Sequence, residues 1–177
     1  MLMNIKLLAI ILVVFGILSR LIPHNPNAAA IGALMLFGGT YLPKKIFWLP
    51  LLALFISDYF IGFYGTDMFY VYGSYLLIGL VGFWLKDHKK PLNILGSSLY
   101  ASGLFFLITN FGVWAYPNNW YPHTISGLMQ SYLLALPFFK ATLFSDLGYT
   151  IVLFGGYELL QYLSKKYLPR KLFQLLY

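Results

Sequence analysis

NILGSSLYASGLFFLITNFGVW, residues 93–114, contains no Asp, Glu, Lys or Arg. A helix rises about 1.5 Å per residue, so a run of this length matches the roughly 30 Å hydrocarbon core of a bilayer. Its flanks differ in kind. Lys86, Lys89 and Lys90 precede it, while Trp114, Tyr116 and Trp120 close it. Basic residues collect on the cytoplasmic side of membrane spans, and amphipathic rings sit at headgroup level. The run therefore reads as a transmembrane helix with its amino end inside.

The same ruler, moved along the chain, predicts an all-α, polytopic membrane helical bundle of about six transmembrane helices, a single integral domain over residues 1–177. Spans are expected near 4–20, 28–42, 46–64, 69–85, 93–114 and 140–163. The composition agrees: 60% hydrophobic, 10% charged and a mean hydropathy of +0.74, too apolar for a soluble domain of this length. The first run resembles a signal peptide but lacks a small-residue cleavage site before Arg20, so it reads as a retained helix.

Charge asymmetry sets the expected orientation. With the amino terminus inside, Lys6, Lys44, Lys45, Lys86, Lys89, Lys90, Lys165, Lys166, Arg170 and Lys171 all fall on the cytoplasmic side. Only Arg20 and Lys140 remain outside. The net charge of +7 thus reports topology and attraction to anionic lipid, and nucleic acid is not an expected partner. Localisation follows as the plasma (cell inner) membrane, multi-pass, with both termini cytoplasmic. Residues 126–139, short and ending near Pro137, read as an outer-face helix, because a seventh span would export the basic tail.

Cysteine is absent, which excludes disulfides and thiolate chemistry. No phosphate loop, zinc motif or hydrolase spacing is present, so neither an enzyme nor a cofactor or metal is expected. The informative residues are Asp58 and Asp146, each inside an apolar run. A carboxylate in hydrocarbon faces the bundle interior and finds a partner or a wet cavity. Either they bridge helices, through neighbours such as Ser57, Ser145, Asn110 or Gln130, or they line an outward-facing cavity. Arg20, His24, Asn27, Asn110, Trp114, Trp120, His123 and Gln130 complete the candidate substrate-binding set, all expected towards the outer face.

A weak internal echo runs through the chain. Pro23-His24 precedes Ile31-Gly32-Ala33-Leu34-Met35, and Pro122-His123 precedes Ile125-Ser126-Gly127-Leu128-Met129; Ser57-Asp58 matches Ser145-Asp146. Transporters are often built from repeated halves, and membrane-type composition alone produces such echoes too.

The segments Pro23-His24-Asn25-Pro26-Asn27, Ile31-Gly32-Ala33-Leu34, Phe37-Gly38-Gly39, Ser57-Asp58, Thr109-Asn110-Phe111-Gly112-Val113-Trp114, Gly127-Leu128, Pro137-Phe138-Phe139 and Asp146 resemble a family of small prokaryotic membrane proteins described as transport proteins of unsettled substrate. More loosely, the layout resembles the S components of energy-coupling-factor (ECF) vitamin transporters. That resemblance implies an S-component-like bundle and uptake of a vitamin-like small molecule through an outward-facing cavity. An energising ECF module, other membrane subunits and membrane lipids are the implied partners. The Ala-x-x-x-Ala signature that S components use for docking is missing from the first span, where Ala9 is followed by Val13. A non-catalytic accessory subunit of a larger membrane complex is the alternative, and an intramembrane acid–base enzyme using Asp58 and Asp146 is a third.

Overall fold

The structure, a computed structural model, describes residues 5–23, 28–116 and 120–167. The described residues form helices and no strands. They are α1 (Ile5–Leu21), α2 (Ile31–Tyr41), α3 (Leu49–Ile61), α4 (Asp67–Lys86), α5 (Pro91–Ala115), α6 (Ile125–Thr150) and α7 (Gly156–Tyr167). A π-helical turn, Ile151–Gly155, joins α6 to α7, and helical dihedrals at both of its ends keep the rod continuous. Among the described residues two helices, α4 and α5, are long and apolar enough to cross a membrane.

The bundle is apolar on its surface as well as in its core. Its surface carries Leu92 and Ile125 at 80% exposure, Phe69 at 78% and Phe144 at 71%, while Thr40, Ser57, Asp58, Ser98, Ser102, Asp146 and Thr150 are buried. Apolar side chains of this size, facing outward on the helices around α2, need a non-aqueous neighbour.

At the centre lies α2. Every residue from Ile31 to Thr40 is buried, which only a helix surrounded by others can achieve. Its glycines set how closely the others approach. A β-carbon on Gly39 would strike the Gly79 carbonyl oxygen of α4, and one on Gly82 would lie 2.5 Å from the Leu36 carbonyl oxygen. The hydroxyl of Thr40 donates to its own helix at Leu36 and lies 3.2 Å from the Gly82 carbonyl. Contact between α1 and α3 is made the same way, Gly16 facing Ala53. Small residues replace the hydrophobic effect here by allowing backbones to touch.

Three features depart from the expected spans. Helices α2 and α3, of 11 and 13 residues, are shorter than the spans at 28–42 and 46–64. The outer-face helix expected at 126–139 and the span expected at 140–163 form one rod, α6 running unbroken through Pro137. Proline removes one N–H and one helical bond, a defect a long packed helix absorbs. The rod starts where the sequence provides a cap: the Thr124 side chain accepts from the Gly127 N–H at 3.2 Å. Both echoed segments open helices, Ile31 starting α2 and Ile125 starting α6.

At the other end of the bundle from Arg20, α2 meets the π turn and α7. Tyr41 donates to Glu158 Oε1 at 2.5 Å, Lys89 Nζ sits 5.0 Å from the Tyr41 ring centroid, and Phe37, Phe154 and Tyr157 pack their rings around it.

The glycine contact gives a direct stability expectation. Gly39→Ala should cost about 1–3 kcal/mol, the usual range for overpacking a filled interior, whereas Gly103→Ala, with open space at its β-carbon, should be close to neutral. Thermal unfolding of both variants in the same detergent checks this, and equal midpoints would refute the tight α2–α4 crossing.

Candidate functional site

Arg20 ends α1 with its guanidinium inside the bundle, the side chain 17% exposed. Nη2 forms an ion pair with Asp58 Oδ1, and Asp58 is fully buried. The second carboxylate oxygen accepts from the Tyr72 hydroxyl at 2.7 Å and the Tyr64 hydroxyl at 3.3 Å. Asp58 is placed by the last turn of α3, which ends when Gly62 takes φ +111°. Only glycine adopts that backbone cheaply, and with Gly65 at φ +73° it turns the chain so that Tyr64 falls back over the carboxylate. Four segments thus converge on one buried charge.

Asp146 sits near the carboxyl end of α6 and is also buried. Ser102 of α5 donates to Oδ2 at 2.8 Å, with the Ser98 carbonyl at 3.1 Å as the hydroxyl's other acceptor. Thr150, one turn on, reaches Ser98 Oγ at 3.1 Å, so hydroxyls lace α5 to α6. The Ala33 backbone N–H also bonds the carboxylate, and a β-carbon on Gly32 would lie 2.5 Å from Oδ1. Asp146 therefore rests on the amino end of α2, where unsatisfied N–H groups and the helix dipole favour negative charge. Ala30, at that end, has no side-chain cap of its own, and the Ala30 N–H donates instead to Ser19 Oγ at 3.3 Å.

Between these two acidic centres opens a cavity of about 510 Å³. Arg20 and Asp146 provide its charged lining, Tyr64, Tyr75 and Phe105 its aromatic walls, and Thr142 a hydroxyl. Asp58 lies behind Arg20 rather than on the wall. The two acids serve one chamber, Asp146 directly and Asp58 by holding Arg20. Neither takes the partners expected from sequence, Ser57, Ser145, Asn110 or Gln130. Arg20 lines the chamber, and its buried Nε has no hydrogen-bond partner among the described residues.

The other expected residues scatter. Asn110 donates to the Phe106 carbonyl of its own helix at 2.8 Å and lines a smaller recess of about 200 Å³ that shares Val71, Phe105 and Thr142 with the cavity. Trp114 donates to the Pro122 carbonyl at 3.1 Å and meets His123 edge-on, a pairing that ties the end of α5 to the residues just before α6. Trp120 lines a separate recess, and Gln130 is exposed on α6. His24 and Asn27 lie outside the described residues. Sequence reasoning missed Tyr72, Tyr75 and Ser102. The tyrosines sit one turn apart on α4, and Ser102 falls four residues after Ser98, a spacing that in a membrane helix equally marks close packing.

The chain belongs to a family of unknown function (DUF6580), whose model matches residues 2–170. No curated protein and no solved structure matches the chain.

Removing one partner of a buried ion pair strands the other charge, at a cost of about 3–5 kcal/mol. Arg20→Ala should thus be strongly destabilising, and adding Asp58→Ala to it should restore much of the loss. A double-mutant cycle read by thermal unfolding tests this; simple additivity would mean that the pair is not coupled.

Proposed function

For a member of a family without assigned function, we propose a multi-pass plasma-membrane protein, both termini cytoplasmic, that binds a compact, vitamin-like polar molecule in the cavity and carries it inward. The bundle is read as S-component-like, with its spans tilting or its outer loops rearranging to give alternating access. The observation that carries this reading is the cavity itself. It holds a pre-formed Arg20, backed by Asp58, opposite a carboxylate fixed by Ser102 and α2, within apolar and aromatic walls. Its volume of about 510 Å³ suits one small molecule.

The polar groups are distributed as recognition requires. Arg20 offers an N–H donor and Asp146 an acceptor, so a ligand with complementary groups at its two ends is oriented. Tyr75 and Phe105 supply flat surfaces for a planar part. Serving as ligand groups also explains why such costly residues stand in an apolar bundle. The reading is one of binding and passage, with no chemical step.

Two measurements test it. Mass spectrometry of the protein purified in mild detergent should find a retained small molecule, lost in Asp146→Asn while the variant still inserts and unfolds cooperatively. If Asp146→Asn retains the molecule as well as the parent, the cavity is not its site. The absence of cysteine makes topology equally accessible. His123→Cys should react with a membrane-impermeant maleimide in intact cells and Lys90→Cys only after permeabilisation; the reverse pattern would overturn the orientation.

A further inference from the structure

Beside the cavity, at the start of α4, lies a second recess of about 340 Å³ with Tyr64, Asp67, Tyr116 and Trp120 in its wall. It is separate from the site described above, sharing with it only Tyr64. Asp67 is the first residue of α4, and its Oδ1 is buried with no hydrogen-bond partner among the described residues. A carboxylate with an oxygen left unpaired among the described residues is costly, which points to a positive group beside it. Aromatic faces attract the same kind of charge.

Simpler explanations account for part of this arrangement only. A membrane-interface belt explains why Tyr116 and Trp120 are aromatic and Trp120 is 75% exposed. A helix amino end explains an acidic residue in the first turn. Neither explains why a residue of the recess wall keeps an unpaired carboxylate oxygen. A hard metal cation fits poorly, since calcium takes about six to eight oxygen ligands and no three His, Asp or Glu side chains converge among the described residues. A weakly hydrated organic cation needs only one counter-charge and apolar or aromatic walls.

From this we infer that the recess binds an ammonium head, quaternary or protonated, with Asp67 as its counter-charge and Tyr64, Tyr116 and Trp120 as its aromatic wall. The head belongs either to a small solute or to a lipid; the recognition chemistry is common to both. Because Tyr64 is also a wall of the cavity and a donor to Asp58, an occupant stands one side chain from the larger chamber.

Choline and its uncharged isostere 3,3-dimethylbutan-1-ol are the probes, titrated calorimetrically into the full chain in maltoside detergent. Choline is expected to bind saturably and at least about tenfold more tightly than the isostere, the difference a desolvated cation–aromatic site confers. Asp67→Asn should weaken choline about tenfold, and Trp120→Leu several-fold, with Trp120→Phe close to the parent. Equal binding of the two probes, no binding of choline, or an Asp67→Asn variant indistinguishable from the parent would each overturn the assignment. Should Asp67→Asn fail to fold, the probe pair on the parent and the Trp120 variants still decide. In nanodiscs of phosphatidylglycerol, adding phosphatidylethanolamine should raise the apparent Kd for choline if a lipid head is the occupant and leave it unchanged for a solute. If choline fails while a molecule still copurifies in the cavity, this recess is removed and the cavity reading stands.

Discussion

A helix buried along its whole length has nowhere to put its end groups except against other helices. In α2 that constraint is met from outside: Ser19 of α1 takes the Ala30 N–H, and Asp146 of α6 takes the Ala33 N–H. The central element of the fold is therefore capped by two other elements, the preceding α1 and the distant α6. Carboxylate, hydroxyl and backbone must lock together, and Gly32 gives Asp146 the space to approach.

The same logic accounts for the Arg20–Asp58 pair. A fully buried carboxylate with a guanidinium and two phenol hydroxyls is satisfied on both oxygens. Such pairs add little net stability compared with apolar packing, but they fix geometry, since each partner is costly without the other. Here the fixed object is Arg20, whose guanidinium faces the cavity from the end of α1. Both acids thus have a structural duty and a positional consequence. Capping and bridging, and lining a chamber, were alternatives when read from sequence; in the structure they coincide.

How much of this was legible follows from the range of each signal. Helical class came from apolar run length, a local property, and α4 and α5 satisfy it directly. The two acids stood out because a charge in an apolar run is conspicuous on its own. Their partners did not stand out. Arg20 lies 38 residues from Asp58, and Ser102 lies 44 from Asp146. Tyr72 and Tyr75 were hidden in a chain that is 20% aromatic, where one more tyrosine carries no information. Pro137 misled because a proline normally marks a helix end, while within a packed bundle its single missing N–H is tolerated. Asn110, Trp114 and His123 were chosen for polarity near the outer face, and they instead secure their own helix or loop.

What separates the cavity from the opposite end of the bundle is as ordered as the cavity. Below Asp146 the helix widens into a π turn, placing Phe154 against Phe37 at 5.2 Å between ring centroids. Tyr41 and Tyr157 close the stack, at 4.5 Å between centroids. The Tyr41–Glu158 hydrogen bond and the Lys89 contact then tie α2 to α7 and to the connection between α4 and α5. On the carrier reading, release toward the basic end requires this plug to part, and the π turn is where the long rod is least regular. A π turn holds one residue more per turn than its neighbours, so reverting it to α geometry rotates everything beyond it. Glu158 and Tyr157 lie just beyond. A shift at Asp146 when a ligand binds would reach Tyr41 along the α6–α7 backbone and the Tyr41–Glu158 hydrogen bond.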